Sequence, residues 1–238
     1  MAVIRRIGMK AVWICAGFVL ALIILNPINS RLTRLAMIAA LLVMWVGLVW
    51  ICKSKKARWI AGALPCLALI PFVLPGRALD ISQLRTDYLA SLRSTDGAIY
   101  LWGAESGRAI DCSGLPRLAL RRAYLAQGLG SLNGAASRAF LDQWWHDASA
   151  KALGEGYRGS TVTLKTKGKI ESMSYAELQP GDLAVTSSGA HILVYLGGEE
   201  WIQADPGVGH VAIYNGRKDK NSWFRNPVTT HRWAVFAR

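Results

Sequence analysis

The first 79 residues of this 238-residue chain contain no aspartate or glutamate; all 15 acids lie from Asp80 onward. Charged residues of any kind are scarce, at 18% against 52% hydrophobic, which excludes a disordered or collagen-like chain and leaves ample apolar material for a core. Histidines and cysteines number four each, with none of the spacings of a metal site. No phosphate-binding glycine loop and no nucleic-acid motif is present, and no cofactor is implied. The net charge of +13 is therefore not the footprint of a nucleic-acid binder. Nine of its positive charges belong to residues 1–76, which carry no acid to offset them.

What that basic segment does have is long uncharged runs, at 11–30, 35–52 and 59–76, of 20, 18 and 18 residues. A membrane-spanning helix needs roughly 20 apolar residues. The sequence thus predicts an anchor over 1–76 with three transmembrane helices at about 11–28, 35–52 and 59–75, followed by a soluble domain over 77–238. Pro65, Pro71 and Pro75 interrupt the third run, so neighbouring elements must bond the carbonyls they free. A cleaved signal peptide is the rival reading of the first run; the further hydrophobic runs and the lack of a small-residue cleavage site after it favour an anchor.

Arg5, Arg6, Lys10, Lys53, Lys55, Lys56 and Arg58 flank one side of the proposed spans, and Arg31, Arg34, Arg77, Arg85 and Arg93 the other. The positive-inside bias places the N-terminus in the cytoplasm, and three crossings then put residues 77–238 on the periplasmic or extracellular side of a bacterial cytoplasmic membrane.

Cys15, Cys52 and Cys66 lie in or beside the apolar runs, where a small side chain needs no special role. Cys112 is the one cysteine of the soluble part and cannot form a disulfide within it. A lone thiol is either inert and buried or a nucleophile. The surrounding sequence favours the nucleophile. Leu115, Leu118 and Leu125 recur at helical spacing after Ile110-Asp-Cys-Ser-Gly114, with Asp111 as N-cap, so Cys112 is expected at a helix N-terminus. There the dipole and unpaired amides would lower the thiol pKa. A thiolate needs an imidazole, for which His191 and His210, each starting a short apolar strand, compete. His146 reads as a helix or loop side chain and His231 as a surface residue of the last strand.

Over roughly residues 84–238 these pieces resemble the NlpC family of bacterial cell-wall cysteine peptidases, which are papain-like. The resemblance rests on Tyr100-x-Trp102-Gly103, on Asp111-Cys-Ser-Gly-Leu115 opening a helix, on Leu178-x-Pro-Gly-Asp-Leu183 leading into a strand, and on a histidine shortly afterwards. It implies Cys112 as nucleophile and His191, eleven residues after Pro180, as general base. Gln203 stands where the family has its third polar residue, most often His. Tyr100 would lie near the thiol, while Asp111 and Ser113 would help to bind a free amine of the wall peptide. Ala104 replaces the second glycine of the family's Trp-Gly-Gly.

Alternation along strands gives a test of the triad that does not depend on the family. A two-residue Gly197-Gly198 turn would put Gln203 opposite Ile192, on the wrong face, whereas an odd loop such as 197–199 pairs Leu193 with Gln203 and His191 with Asp205. Asp205 is then a rival orienter of the imidazole.

The expected fold is α+β, helices over 80–94, from Cys112 and over 137–152 packing on an antiparallel sheet of strands near 161–165, 182–186, 190–196, 200–204, 210–214 and 232–236. The implied function is a membrane-anchored endopeptidase that hydrolyses peptidoglycan stem peptides, with wall peptide and bilayer as its partners. An amidase or lipid-directed acyltransferase of the same fold, or a catalytically silent wall-binding protein, are the competing readings.

Overall fold

The structure is a computed structural model and describes residues 2–237. It begins with α1 (Ala2–Leu25) and α2 (Arg31–Ile51); α3 (Lys55–Ala63) then runs through a 3-10 stretch, Leu64–Leu69, into α4 (Ile70–Val73). Ser30 and Ser54 start α2 and α3 by accepting the N–H groups of Thr33 and Ala57, the usual remedy for unpaired amides at a helix start. Among the described residues two segments, Arg31–Ile51 and Lys55–Val73, are long and apolar enough to cross a membrane by length and composition. The expected count of three is not reached by that measure, because the apolar part of the first helix, Lys10–Leu25, is shorter.

The prolines of the third run are accommodated as their chemistry requires. Pro65 has no N–H for the carbonyl of Ala61, and the Trp45 indole of α2 donates to that oxygen at 2.8 Å. The carbonyls of Pro71 and Leu74 accept Arg138 Nη1 at 2.9 and 3.3 Å.

The remaining elements are α5 (Ile81–Arg93), β1 (Ile99–Tyr100), β2 (Ala109–Ile110), α6 (Gly114–Gly130), α7 (Gly134–Trp145), α8 (Ala150–Gly154), β3 (Thr161–Lys169), β4 (Leu183–Thr186), β5 (Ile192–Gly197), β6 (Glu200–Asp205), β7 (His210–Asn215) and β8 (Pro227–Trp233). The strands form a single sheet in the order β2-β1-β7-β6-β5-β4-β8-β3. Among the described residues β1 and β2 pair in parallel and the other neighbours are antiparallel. Apart from β1 and β2, which come before α6, the helices precede the strands, as the α+β reading expects.

Each face of the sheet has its own core. On one, Leu84, Tyr88 and Leu92 recur every four residues along α5 and meet Leu115, Leu118 and Ala119 of α6 over Val185, Ile192, Val194 and Ile202. On the other, Leu193, Tyr195 and Trp201 pack with Phe224 and Val228. At about 1.5–3 kcal/mol for each large apolar side chain fully buried, the first of these cores holds α6 against the sheet.

Several boundaries, and the burial of one histidine, differ from expectation. The helix expected over 137–152 is broken after Trp145, where His146 ends α7, and resumes as α8. The last strand starts at Pro227 rather than 232, and 234–236 is a 3-10 turn. His231, expected on the surface, is buried at 3% exposure because β3 covers β8 and brings Thr163 Oγ1 to 3.3 Å from its Nδ1.

Candidate active site

The motif around Cys112 is held by one carboxylate. Asp111 Oδ2 accepts the N–H of Gly103 at 2.9 Å; its Oδ1 accepts the N–H of Gly114 at 2.5 Å and Ser113 Oγ at 3.0 Å. The helix proper begins at Gly114, two residues later than expected. Asp111 caps it nonetheless, while Ser113 in the N-cap position makes no side-chain cap bond. Glycine is required at 114 because a Cβ there would stand 2.7 Å from the carbonyl oxygen of Ala104. Thus Trp-Gly, Asp-Cys-Ser and the following Gly form one locked turn, and Cys112 sits on it half-buried.

Cys112 Sγ lies 4.0 Å from the carbonyl oxygen of Ala190, the residue before His191. The expectation of a depressed thiol pKa is not met. Burial, reinforced by the Asp111 charge, pushes the thiol up to about 12, although the N–H groups of Ile192, Ser113 and Cys112 itself pull it down. His191 is 1% exposed, and burial lowers its imidazole to about 4 against the opposing influence of Gln203 and Asp205. At neutral pH the two groups are therefore a neutral thiol and a neutral imidazole.

Gln203 Oε1 is 2.7 Å from His191 Nε2, and Gln203 is wholly buried. An amide oxygen only accepts, so Nε2 carries the proton and Nδ1 keeps its lone pair. Asp205 stands one step further back. Its Oδ2 accepts Gln203 Nε2 at 3.3 Å and Asn221 Nδ2 at 3.1 Å, while Oδ1 accepts the N–H of Gly207 at 2.8 Å and Trp223 Nε1 at 3.2 Å. Between the two rivals Gln203 is the direct neighbour of the imidazole, and Asp205 sets which way the Gln203 amide points.

The strand parity argument is met by an unexpected device. Gly198 and Glu199, both at positive φ, form a two-residue turn between Gly197 and Glu200, and a bulge at Leu196 supplies the extra residue. Val194 pairs with Ile202 and Tyr195 with Trp201, a register that sets Leu193 opposite Gln203.

Trp223 completes the site and was not foreseen. Its ring stacks on the imidazole with centroids 4.0 Å apart and planes at 21°, while its N–H is tied to Asp205. No periodicity marks it, because Asn221-Ser-Trp223 lies on a 3-10 turn between strands. Tyr100 is half-buried, its phenol pushed up to about 12 by burial and by the nearby Cys112, Asp111 and Asp205. His210 is on β7 opposite Asp205 in register and plays no part in this cluster. Among the described residues no group of His, Cys, Asp or Glu could hold a metal ion.

Residues 97–231 match the model of the NlpC/P60 family. Solved structures similar to the chain include NlpC1 from Trichomonas vaginalis, 16% identical over 66% of this chain and 46% of that one, with a TM-score of 0.44. The peptidoglycan hydrolase RipB from Mycobacterium tuberculosis is 16% identical over 76% of this chain and 86% of its own, at a TM-score of 0.40. The NlpC/P60 domain of the peptidoglycan hydrolase SagA is 19% identical over 61% and 96%, at 0.37. This chain thus spans about half the length of the first of these, and no curated protein matches it. The match to the family model takes in the locked Cys112 turn, the His191 strand and Gln203, and on that match the chain belongs to the NlpC/P60 family.

Proposed function

We propose that the protein is a membrane-anchored cysteine peptidase that hydrolyses amide bonds in peptidoglycan stem peptides. The observation that carries the reading is the buried Gln203–His191 contact, which fixes the imidazole tautomer, while the Cys112 thiol lies 4.0 Å from the carbonyl oxygen of Ala190, the residue before that histidine. Nδ1 of His191 takes the Cys112 proton as Sγ attacks the amide carbonyl, then returns a proton to the leaving amine. Water, deprotonated by the same nitrogen, releases the acyl group. The amide N–H of Cys112 supports the developing oxyanion. Tyr100 lines the approach to the thiol. Asp111 and Ser113 receive a free amine of the substrate, for which Asp111 Oδ2 keeps an unused lone pair.

The anchor reading has support of its own. The loop between α1 and α2 is bonded to the catalytic domain, with Asn29 N–H on the Gly103 carbonyl at 3.3 Å and Glu105 N–H on the Pro27 carbonyl at 3.0 Å. Loop and domain must then share one side of the bilayer, so the chain between them crosses an even number of times. That parity fits α2 and the Lys55–Val73 segment each spanning, and with α1 it gives three crossings and a domain outside the cytoplasm.

Purified muropeptides incubated with the full chain in detergent should yield products with new amine and carboxylate ends. Cys112→Ala and His191→Ala should yield none. A reporter active only outside the cytoplasm, fused after Arg238, should be active; silence from a stable fusion would contradict the topology.

A further inference from the structure

The domain is fastened to the anchor at two places, and both are tight. At the first, the segment 26–30 lies against the loop that precedes the Cys112 turn, and Ile28 forms an antiparallel bridge with Ala104. A buried charge network locks it. Arg34 and Glu105 side chains are each 1% exposed; Asn29 links them, donating to Glu105 Oε2 at 2.9 Å and accepting Arg34 Nε at 2.9 Å. Arg121 and Arg117 reach the same carboxylate at 3.0 and 3.5 Å, and Arg34 Nη1 bonds the carbonyl of Trp145. Removing one partner from such a network leaves a buried charge uncompensated, at a cost of several kcal/mol, so the contact is not one that opens in passing.

The second fastening is where α4 enters the domain. Gly134 N–H bonds the Pro75 carbonyl at 3.0 Å, Arg138 bonds Pro71 and Leu74, and Arg77 N–H bonds Asn133 Oδ1 at 3.1 Å. No free linker separates anchor from enzyme.

These fastenings fix the height of the nucleophile. Ala104, bridged to Ile28, accepts the N–H of Asp111 at 2.9 Å, and Cys112 is the next residue. Two strand spacings and one residue step put the Cys112 backbone within about 14 Å of Ile28, which follows the end of α1 by three residues. The headgroup layer above the hydrocarbon is itself about 5–8 Å deep. Trp102, 81% exposed and next to Gly103, whose carbonyl accepts the Asn29 N–H, is the side-chain type enriched in that layer.

Resting on the peptidase and topology readings above, we infer that the substrate is a peptide tethered to a lipid of the same leaflet. A domain clamped this low meets a lipid-borne peptide at high effective concentration and cannot rise toward a distant polymer.

The full chain reconstituted in phosphatidylethanolamine and phosphatidylglycerol vesicles tests this. Its substrates are one muropeptide offered free in solution, and coupled through its sugar to phospholipid by spacers of about 10 and about 60 Å, all at equal total concentration. The short-spacer substrate in the same vesicles should be cleaved at least about tenfold faster than the free one, and faster than the long-spacer one. Equal rates on free and tethered peptide, or rates that rise with spacer length, would overturn the inference while leaving the peptidase reading intact. Cleavage of none of the three would overturn that reading, and this inference with it.

Discussion

Gln203 presents its amide oxygen to Nε2 of His191 at 2.7 Å while its amide nitrogen is held by Asp205. The carboxylate therefore acts on the imidazole through a neutral side chain. It directs the ring without placing a charge in contact with it, which fits an imidazole whose pKa is lowered by burial rather than raised by an ion pair. Gln203→Ala is expected to lower kcat by about 10²-fold with little change in KM, since the ring loses its tautomer and direction but substrate contacts remain. Steady-state kinetics on muropeptides reads this directly. An unchanged kcat would remove Gln203 from the mechanism.

The pH profile follows from the same burial. With His191 near 4, kcat/KM should hold level through neutral pH and fall on an acid limb near pH 4 as the base is protonated. Trp223→Ala uncovers one face of the ring. The limb should then move up by more than one unit toward the ordinary histidine value of about 6.5. A limb already near 6.5 in the unaltered protein would contradict the burial argument.

Stability carries a matching sign. A histidine whose folded pKa is below its unfolded value contributes fully above about pH 6.5, and its contribution is lost as pH falls toward 4. The loss is on the order of 3 kcal/mol at about 1.4 kcal/mol per unit. Urea denaturation at pH 7 and pH 4 should show a stability loss that His191→Gln reduces.

Asp205→Asn should be costly although it barely changes shape. Four donors, from Gln203, Gly207, Asn221 and Trp223, converge on this carboxylate. An amide would turn a donor toward donors, at about 1–3 kcal/mol for each buried group left unpaired. A lowered unfolding midpoint together with a lowered kcat is the expected pair of results. A drop in midpoint alone would make Asp205 structural only.

How much of this was legible depended on how local the signal was. The Cys112 turn could be read because its parts lie within fifteen residues and follow short-range rules, whereas the close approach of the Ala104 carbonyl that requires glycine at 114 was visible only in the fold. The pairing of His191 and Gln203 on one face was legible from strand parity, although the bulge that achieves it at Leu196 was not. Trp223 gave no warning, since its stacking on His191 is made by a turn that meets β5 only after the sheet has formed. The burial of His231 depended on β3 covering β8, and the clamp from Arg34 to Glu105 on contacts across more than seventy residues. The helix-start amides that lower the thiol pKa are visible in the sequence, whereas the burial that outweighs them is not.

During turnover Cys112 is expected to carry the acyl half of the wall peptide. Full-length protein mixed with purified muropeptides, acid-quenched within one turnover and digested, should give a Cys112-containing fragment heavier by the mass of the acyl fragment. That adduct should be absent from Cys112→Ala, which should also leave the muropeptides intact. Cleavage by Cys112→Ala at the rate of the unaltered protein would contradict the account.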